Sequence, residues 1–170
     1  MTIHLPKMFL FIRHAIAVPA TDANLDDAQR PLTPDGSRRA RQVLRRVVRL
    51  YQPSRVLCSP AVRTVETARL LIQCIGKDHL SIETTDTLLP DGTVDGWRGF
   101  LRSMEPELQS DDIVAIVGHE PSISTLLASH LGITKAFPLK KAGVAVVRPE
   151  AVDGGELVAF IPPKVWMAIN

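Results

Sequence analysis

Two short apolar runs, far apart in the chain, constrain the fold of this sequence more than any other feature. Residues 8–12 (MFLFI) and 113–117 (IVAIV) contain only apolar side chains; Arg13-His14 directly follows the first run, and His119 lies just beyond the second. Continuous apolar runs of this length are typical of strands that are covered on both faces in a parallel sheet. The sequence therefore predicts an α/β fold with a histidine at the carboxyl end of two central strands.

Helix-start signals divide the rest of the chain into elements. Thr33-Pro34-Asp35 combines an N-cap residue, a proline suited to the first helical position and an acidic first turn. Ser59-Pro60 and Ser122 predict two further helix starts in the same way. The predicted strands are 8–12, 55–58, 81–83, 113–117, 144–147 and 157–161, with a hairpin-like turn at 153–155, and the predicted helices are about 34–50, 59–74, 94–105 and 122–131.

Strands that alternate with helices predict a three-layer α/β/α sandwich, and the hairpin near the end predicts one antiparallel edge strand on a mostly parallel sheet. No repeat or linker is visible, so we expect a single domain over residues 1–170. In such sheets, ligands bind beyond the carboxyl ends of the strands. His14, His119 and Arg63 all follow predicted strand ends, and we expect residues 15–30, which are polar, to form a loop over that edge.

Composition excludes several classes of protein. The 170 residues, 45% hydrophobic and 22% charged, suit one globular domain, and a net charge of +2 is too small to indicate a nucleic-acid partner, although pI ≈ 8.7 leaves a mild preference for anions. The two cysteines are too few for a disulfide scaffold, which favours a cytoplasmic location. The apolar run at 8–12 is too short for a signal peptide or a membrane span, so we expect no membrane association.

The polar segments after these strands resemble a known family when they are taken together. The segments, in order, are Arg13-His14-Ala15, Pro31-Leu32-Thr33-Pro34-Asp35-Gly36, the stretch SPAVRTVETA from Ser59 to Ala68, and Gly118-His119-Glu120-Pro121. They are similar to the motifs of the histidine phosphatase superfamily, whose fold is phosphoglycerate mutase-like, and most similar to its SixA-type phosphohistidine phosphatase branch. The resemblance implies a phosphatase that needs no metal or other cofactor and that forms a phosphohistidine intermediate on His14.

The residue types agree with that chemistry. A neutral imidazole is a good nucleophile toward phosphorus, and adjacent guanidinium groups keep it neutral by lowering its pKa. Arg13 and Arg63 are therefore expected to hold His14 neutral and to bind the phosphoryl group through several charge-assisted hydrogen bonds. Loss of one such cation costs on the order of 3 kcal/mol of transition-state stabilisation, which we predict for Arg63→Ala. His119 is expected to face His14 across the phosphate, to bind it and to help position water.

The segment after the third predicted strand lacks the glutamate that many family members use as a general acid. Here it reads Leu-Leu-Pro-Asp-Gly, and Asp91 and Asp95 are the candidate acids in this region. Protonated phosphohistidine departs as neutral imidazole without a strong acid, so this departure favours a phosphohistidine-bearing partner protein, for instance a histidine phosphotransfer domain. Two alternatives remain: a small-molecule phosphomonoesterase or mutase of the same superfamily, and a non-catalytic module that binds phosphorylated ligands.

Other chemistries fit the sequence less well. Cys58 and Arg63 have four residues between them, whereas the cysteine-dependent phosphatase loop needs five. His119 lacks the second histidine of a zinc helix, and no GxxxxGK loop is present. We assign no function to His4, His79 and His130, which we expect at the surface or at helix ends, and we expect the arginine-rich face between residues 38 and 49 to be solvated.

Overall fold

The computed structural model describes residues 5–21, 26–77, 80–151 and 153–168. The expectations for His4 and His79, and the central part of the predicted loop, residues 22–25, lie outside these ranges. Within them, no helix is both long enough and apolar enough to cross a bilayer.

Six strands form one sheet, and most of them run in the same direction. The strands are β1 (Met8–Arg13), β2 (Arg55–Cys58), β3 (Ile82–Thr84), β4 (Ile113–Gly118), β5 (Val144–Ala151) and β6 (Gly154–Ile161), in the spatial order β3-β2-β4-β1-β5-β6. The strands β1, β2, β3 and β4 are parallel to one another, through the pairs β1·β4, β4·β2 and β2·β3. β5 runs antiparallel to both β1 and β6. The predicted mostly parallel sheet with an antiparallel edge is therefore confirmed, and the strands β1, β4 and β2 have their carboxyl ends on one side.

Helices cover both faces of the sheet. They are α1 (Pro34–Leu50), α2 (Val62–Ile75), α3 (Val94–Met104), α4 (Ser122–His130) and α5 (Pro163–Ala168), with short 3-10 turns at Asp27–Gln29, Asp86–Leu88 and Glu105–Glu107. The side chains of β1 alternate between two cores: Leu10 and Ile12 pack with α1 and α2, while Phe9 and Phe11 pack with α3 and α4. This arrangement confirms the predicted three-layer sandwich.

The start of α1 follows the sequence prediction and fixes the loop after β1. Thr33 is the N-cap, and its Oγ1 accepts a hydrogen bond of 2.9 Å from the backbone N–H of Gly36. A Cβ on Gly36 would lie 2.2 Å from the carbonyl oxygen of Ile16, so only glycine lets α1 approach the segment that follows His14. The buried face of α1 contains valine, leucine and alanine, while Arg38, Arg45 and Arg49 are exposed, as expected.

Three local predictions were wrong. Ser59 and Ser122 do not cap helices: α2 begins at Val62 after Ala61, and α4 begins at Ser122 itself after Pro121. Both serine hydroxyls bind other groups near the strand ends, as described below. The hairpin turn also lies earlier than predicted, because β5 ends at Ala151 and β6 already begins at Gly154.

Candidate active site

The four side chains predicted to form a site line one pocket at the carboxyl edge of the sheet. Arg13 ends β1 and His14 follows it, Arg63 lies in the first turn of α2, and His119 follows β4. The pocket has a volume of about 350 Å³, and its other described lining residues are Ala17, Asp27, Arg30, Pro90, Glu120 and Lys141. Four of its ten described lining side chains are therefore basic, Arg13, Arg30, Arg63 and Lys141, and two are acidic, Asp27 and Glu120.

The His14 ring is held in one tautomer by its own backbone neighbour. Nδ1 lies 2.7 Å from the carbonyl oxygen of Ala15. A carbonyl only accepts, so Nδ1 donates its proton there, and in the neutral ring Nε2 carries the free lone pair. The backbone N–H of His14 donates to the Gly118 carbonyl at 3.0 Å, which ties β1 to the end of β4. The ring is thus pre-set with a nucleophilic nitrogen.

Burial keeps this imidazole uncharged. His14 is 7% exposed, and burial lowers its pKa from 6.5 to about 4, with Arg63, Arg13 and Lys141 lowering it further against the opposing effect of the Ala15 carbonyl. At neutral pH the ring is therefore unprotonated at Nε2.

His119 faces His14, with ring centroids 5.2 Å apart. Burial, followed by the charge of Arg63, lowers the pKa of His119 to about 3, so this ring is also neutral. Its Nε2 lies 2.9 Å from Oγ of Ser59. The same oxygen accepts a hydrogen bond of 3.3 Å from the backbone N–H of Ala61, which leaves the hydroxyl proton of Ser59 free to be donated to Nε2. A serine hydroxyl that donates to Nε2 leaves the proton of His119 on Nδ1, which has no partner among the described residues. His119, which lines the pocket, is then left with one buried N–H donor that has no partner in the described part of the chain.

Arg13 is fixed by the chain segment that precedes β5. Its Nη1 donates to the carbonyl of Leu139 at 2.8 Å, while the backbone N–H of the same leucine donates to Oε1 of Glu120 at 2.8 Å. Ser124 donates to the other oxygen of Glu120 at 2.6 Å. Leu139 is therefore held from both sides, and the guanidinium keeps Nε without a partner in the part of the chain that the structure describes.

Arg63 is nearly buried and is paired with the loop over the pocket. Nη2 lies 2.8 Å from Oδ2 of Asp27, and Nη1 donates to the carbonyl of Asp27 at 2.5 Å. The Arg63 side chain is 4% exposed, whereas that of Asp27 is 57% exposed. Thr67 joins α2 to the strand end, since its hydroxyl donates to the Arg63 carbonyl at 2.7 Å and accepts from the Ala15 N–H at 3.1 Å.

Several residues of the site were missed by the sequence prediction. Asp91 and Asp95, the candidate acids, do not line the pocket, and Asp95 pairs with Arg98 at 2.9 Å. The carboxylates that line it come from elsewhere: Asp27 from the loop and Glu120 from the Gly-His-Glu-Pro motif. The motif itself was a signal for Glu120, whereas nothing in the sequence around Asp27 or Lys141 indicated that they approach the pocket.

The Cys58 thiol does not fit the rival cysteine-dependent chemistry. Burial raises the pKa of the Cys58 thiol to about 12, so this cysteine is not a thiolate at neutral pH. Among the described residues, no group of three histidine, cysteine or acidic side chains is arranged to hold a metal ion. His130 ends α4 as expected, but it is buried in the core rather than at the surface: it is 1% exposed, and its Nε2 accepts from Trp97 at 2.8 Å.

Comparisons with known proteins concern the family and the fold. Residues 9–89 match the family model of the histidine phosphatase superfamily (branch 1). No curated protein sequence matches the chain.

Solved structures share the fold over nearly the whole chain. The protein histidine phosphatase SixA in complex with tungstate superposes with a TM-score of 0.81 at 22% identity, over 92% of this chain and 97% of that one. A structure from Agrobacterium tumefaciens proposed to be a phosphohistidine phosphatase SixA gives 0.75 at 23% identity, over 94% and 99%. Mycobacterial glucosyl-3-phosphoglycerate phosphatase with inorganic phosphate gives 0.71 at 16% identity, over 94% and 100%. Residues 9–89 therefore match the histidine phosphatase superfamily, and nearly the whole chain shares the fold of these solved structures.

Proposed function

We propose that this protein is a metal-independent phosphatase that removes phosphoryl groups from phosphohistidine on another protein, through a transient phosphohistidine on His14. One observation carries the proposal: the Ala15 carbonyl holds the Nδ1 proton of His14, so that Nε2 is left as a nucleophile in a pocket lined by Arg13, Arg63 and Lys141. An unprotonated nitrogen beside fixed cations is the arrangement that in-line phosphoryl transfer requires.

In the first step, Nε2 of His14 attacks phosphorus on the side opposite the departing group. The new bond joins Nε2 to phosphorus, and the bond from phosphorus to the substrate imidazole breaks, its electron pair returning to that nitrogen. A substrate ring that is already protonated on its other nitrogen leaves as neutral imidazole. His14 becomes a phosphorylated imidazolium, which the Ala15 carbonyl stabilises by accepting from Nδ1–H. Arg13 and Arg63 hold the phosphoryl oxygens as their charge shifts.

In the second step, water attacks phosphorus and the bond to Nε2 of His14 breaks. The electron pair returns to Nε2, the protons of water pass to phosphate and solvent, and neutral His14 is regenerated with its proton still on Nδ1. The neutral His119 ring, with a free N–H at Nδ1, is suited to bind an equatorial oxygen and to orient this water.

The carboxylates of the pocket support a substrate with a good leaving group. A hydrogen bond from Arg30, with help from Arg63, holds the pKa of Asp27 below its ordinary value, so this group stays ionised near neutral pH. Both oxygens of Glu120 are already engaged, because they accept hydrogen bonds from Leu139 and Ser124. Neither residue is set up to protonate an alkoxide, whereas neutral imidazole needs no such acid. The similarity to the protein histidine phosphatase SixA supports the same substrate class.

A substrate panel with two variants tests the proposal. We expect the wild-type protein to hydrolyse phosphoramidate and a phosphohistidine peptide, and alkyl phosphomonoesters at least about tenfold more slowly. His14→Ala should lose turnover, while Cys58→Ala, which removes the rival nucleophile at another strand end, should keep it. Equal rates on alkyl phosphates, or an active His14→Ala variant, would rule the proposal out.

A small-molecule phosphatase is the second candidate, because a similar fold belongs to the mycobacterial glucosyl-3-phosphoglycerate phosphatase. A sugar or glycerate phosphate that outruns the phosphohistidine peptide in the same panel would favour it. Binding of phosphate without turnover of any member would instead leave a non-catalytic phosphate-binding module.

A further inference from the structure

A second cavity lies beside the candidate active site. It has a volume of about 330 Å³ and is bounded by α1, by the turn before β5 and by the beginning of α5. Its apolar lining residues are Ile16, Val43, Ala142, Pro162, Pro163 and Met167. We refer to this cavity, with the lysines on its rim, as the lysine cleft. It is large enough for an apolar side chain and has the mainly apolar walls of a binding site.

The rim of the lysine cleft is positively charged. Lys140, Lys141 and Lys164 line it and are exposed, and none of the three has an ion-pair partner among the described residues. Arg39 also lines it, but its charge is offset by Asp35 at 2.7 Å. No carboxylate within the described ranges lines the cleft. Three unpaired cations around an apolar cavity attract a ligand that is both apolar and anionic.

The lysine cleft and the phosphate pocket share a wall. Lys141 lines both cavities, and Ile16 lies two residues after His14. The N–H of Ala142 donates to the carbonyls of Arg13 and His14, at 3.1 and 3.2 Å, from a left-handed backbone conformation with φ of 60°. Such a conformation is costly for alanine and persists where contacts enforce it. The turn that carries Lys140 and Lys141 is therefore fixed against the end of β1.

The position of the charges favours a protein segment over a small molecule. All the charged side chains that line the cleft are exposed at its rim, and no buried polar side chain among the described residues lines its interior. Small-molecule sites orient their ligands with polar groups placed inside the pocket. An apolar centre with a charged, solvated rim is instead the arrangement of protein interfaces.

We propose that the lysine cleft docks an acidic and apolar segment of the protein that carries the phosphohistidine. One aliphatic or aromatic side chain of that segment enters the cavity, and its flanking carboxylates pair with Lys140 and Lys164 while the phosphohistidine occupies the neighbouring pocket. This inference rests on the proposed function and adds how the substrate protein is recognised.

Two phosphohistidine peptides and one pair of variants test the docking site. One peptide carries a Leu-Glu-Glu segment beside the phosphohistidine and the other carries Ser-Gln-Gln; phosphoramidate serves as a probe too small to reach the cleft. Lys164→Glu is compared with Lys7→Glu, at another exposed lysine, which precedes β1 and so lies at the opposite edge of the sheet. We expect Lys164→Glu to lower kcat/KM for the acidic peptide about tenfold, mainly through KM, with less effect at high salt. Phosphoramidate turnover, and both activities of Lys7→Glu, should stay within about twofold of wild type.

Binding of the unphosphorylated acidic peptide, followed by fluorescence anisotropy, keeps this test separate from turnover. A wild-type protein that binds the peptide but hydrolyses neither phosphoramidate nor phosphohistidine contradicts the proposed function while supporting the docking site. Equal losses of peptide binding in Lys164→Glu and Lys7→Glu would overturn the docking proposal, and so would equal kcat/KM values for the two peptides. Octanoate, a small apolar anion, tests the small-molecule alternative: a protein that binds octanoate but not the peptide would also overturn the proposal.

Discussion

The protein contains buried histidines in two very different surroundings, the polar edge of the sheet and the aromatic core. His14 and His119 at the edge, and His130 in the core, are each at most 7% exposed, and burial is the first cause that lowers the pKa of each, to about 4, 3 and 4. His130 packs against Phe9 with ring centroids 4.8 Å apart, and the Trp97 indole N–H occupies its Nε2. His14 instead keeps Nε2 free beside cations. Burial and a lowered pKa therefore do not mark a catalytic histidine; an available lone pair beside the right charges does.

The largest difference between the two regions should appear in turnover. We expect His14→Ala to lower kcat/KM for phosphoramidate by at least about 1,000-fold, because the attacking nitrogen is removed. His130→Phe, measured at 25 °C where it remains folded, should stay within about threefold of wild type. Circular dichroism would establish that both variants are folded. A folded His130→Phe protein that is as inactive as His14→Ala would contradict the distinction between a catalytic histidine at the edge and a structural histidine in the core.

The cations of the edge give the next largest effect. Removing the Arg63 guanidinium should cost about 3 kcal/mol of transition-state stabilisation, which is a fall in kcat of about 150-fold. Arg63→Lys should recover only part of this loss, since an ammonium group cannot make the bidentate contact. Arg69→Ala, an exposed arginine on the same helix, is the matched control and should leave kcat unchanged. Equal kcat values for the Arg63→Ala and Arg69→Ala variants would contradict this assignment.

The pH dependence of stability should be the same for the two regions, because burial lowers the pKa of His130 in the core and of His14 at the edge alike. The folded pKa of His130 lies below the unfolded value of about 6.5, so the unfolded state takes up the proton first as pH falls. The contribution of His130 to the free energy of unfolding is therefore constant above about pH 6.5. Between that pH and pH 4 it declines by about 1.4 kcal/mol for each pH unit. When the pH is lowered from 7.5 to 5.0, the free energy of unfolding measured in urea should fall by about 2 kcal/mol less in His130→Phe than in wild type. The difference from wild type should be similar in His14→Ala. Parallel curves for wild type and both variants would refute this.

The smallest expected effect concerns the orientation of His119. Ser59→Ala removes the hydroxyl that lies 2.9 Å from Nε2 of His119 and so frees the ring to change tautomer. A net hydrogen bond of about 1 kcal/mol corresponds to a fall in kcat/KM of about fivefold. Ser103→Ala, an exposed serine on α3, controls for the loss of a hydroxyl and should have no effect. An unchanged kcat/KM in Ser59→Ala would contradict this function of the serine.

The two regions also differ in how far the sequence predicted them. The strand-end positions of His14 and His119 followed from apolar runs of the right length, because parallel strands bring their carboxyl ends together. The pairing of Asp27 with Arg63 could not be predicted from the sequence, because it depends on how a polar loop folds back over the edge of the sheet. His130 was expected at a helix end, but its burial depends on the contacts of α4 with Phe9, Phe11 and Trp97, which come from distant parts of the chain.

The serine positions show the same limit on a smaller scale. Ser59 precedes α2 and Ser122 is the first residue of α4, and both have the residue type of an N-cap. Ser59 instead contacts His119, and the hydroxyl of Ser122 donates to the His119 carbonyl at 3.0 Å. Local propensity predicted a helix start, whereas tertiary hydrogen bonds around one histidine decided where each hydroxyl points.

The nitrogen that becomes phosphorylated tests the central claim most directly. Wild-type protein is mixed with phosphoramidate, quenched in alkali and digested, and the phosphate on the labelled peptide is located by NMR of the imidazole ring. The hydrogen bond from Nδ1 of His14 to the Ala15 carbonyl predicts phosphate on Nε2 of His14. Phosphate on Nδ1, or on any other residue while His14 stays unmodified, would contradict the account.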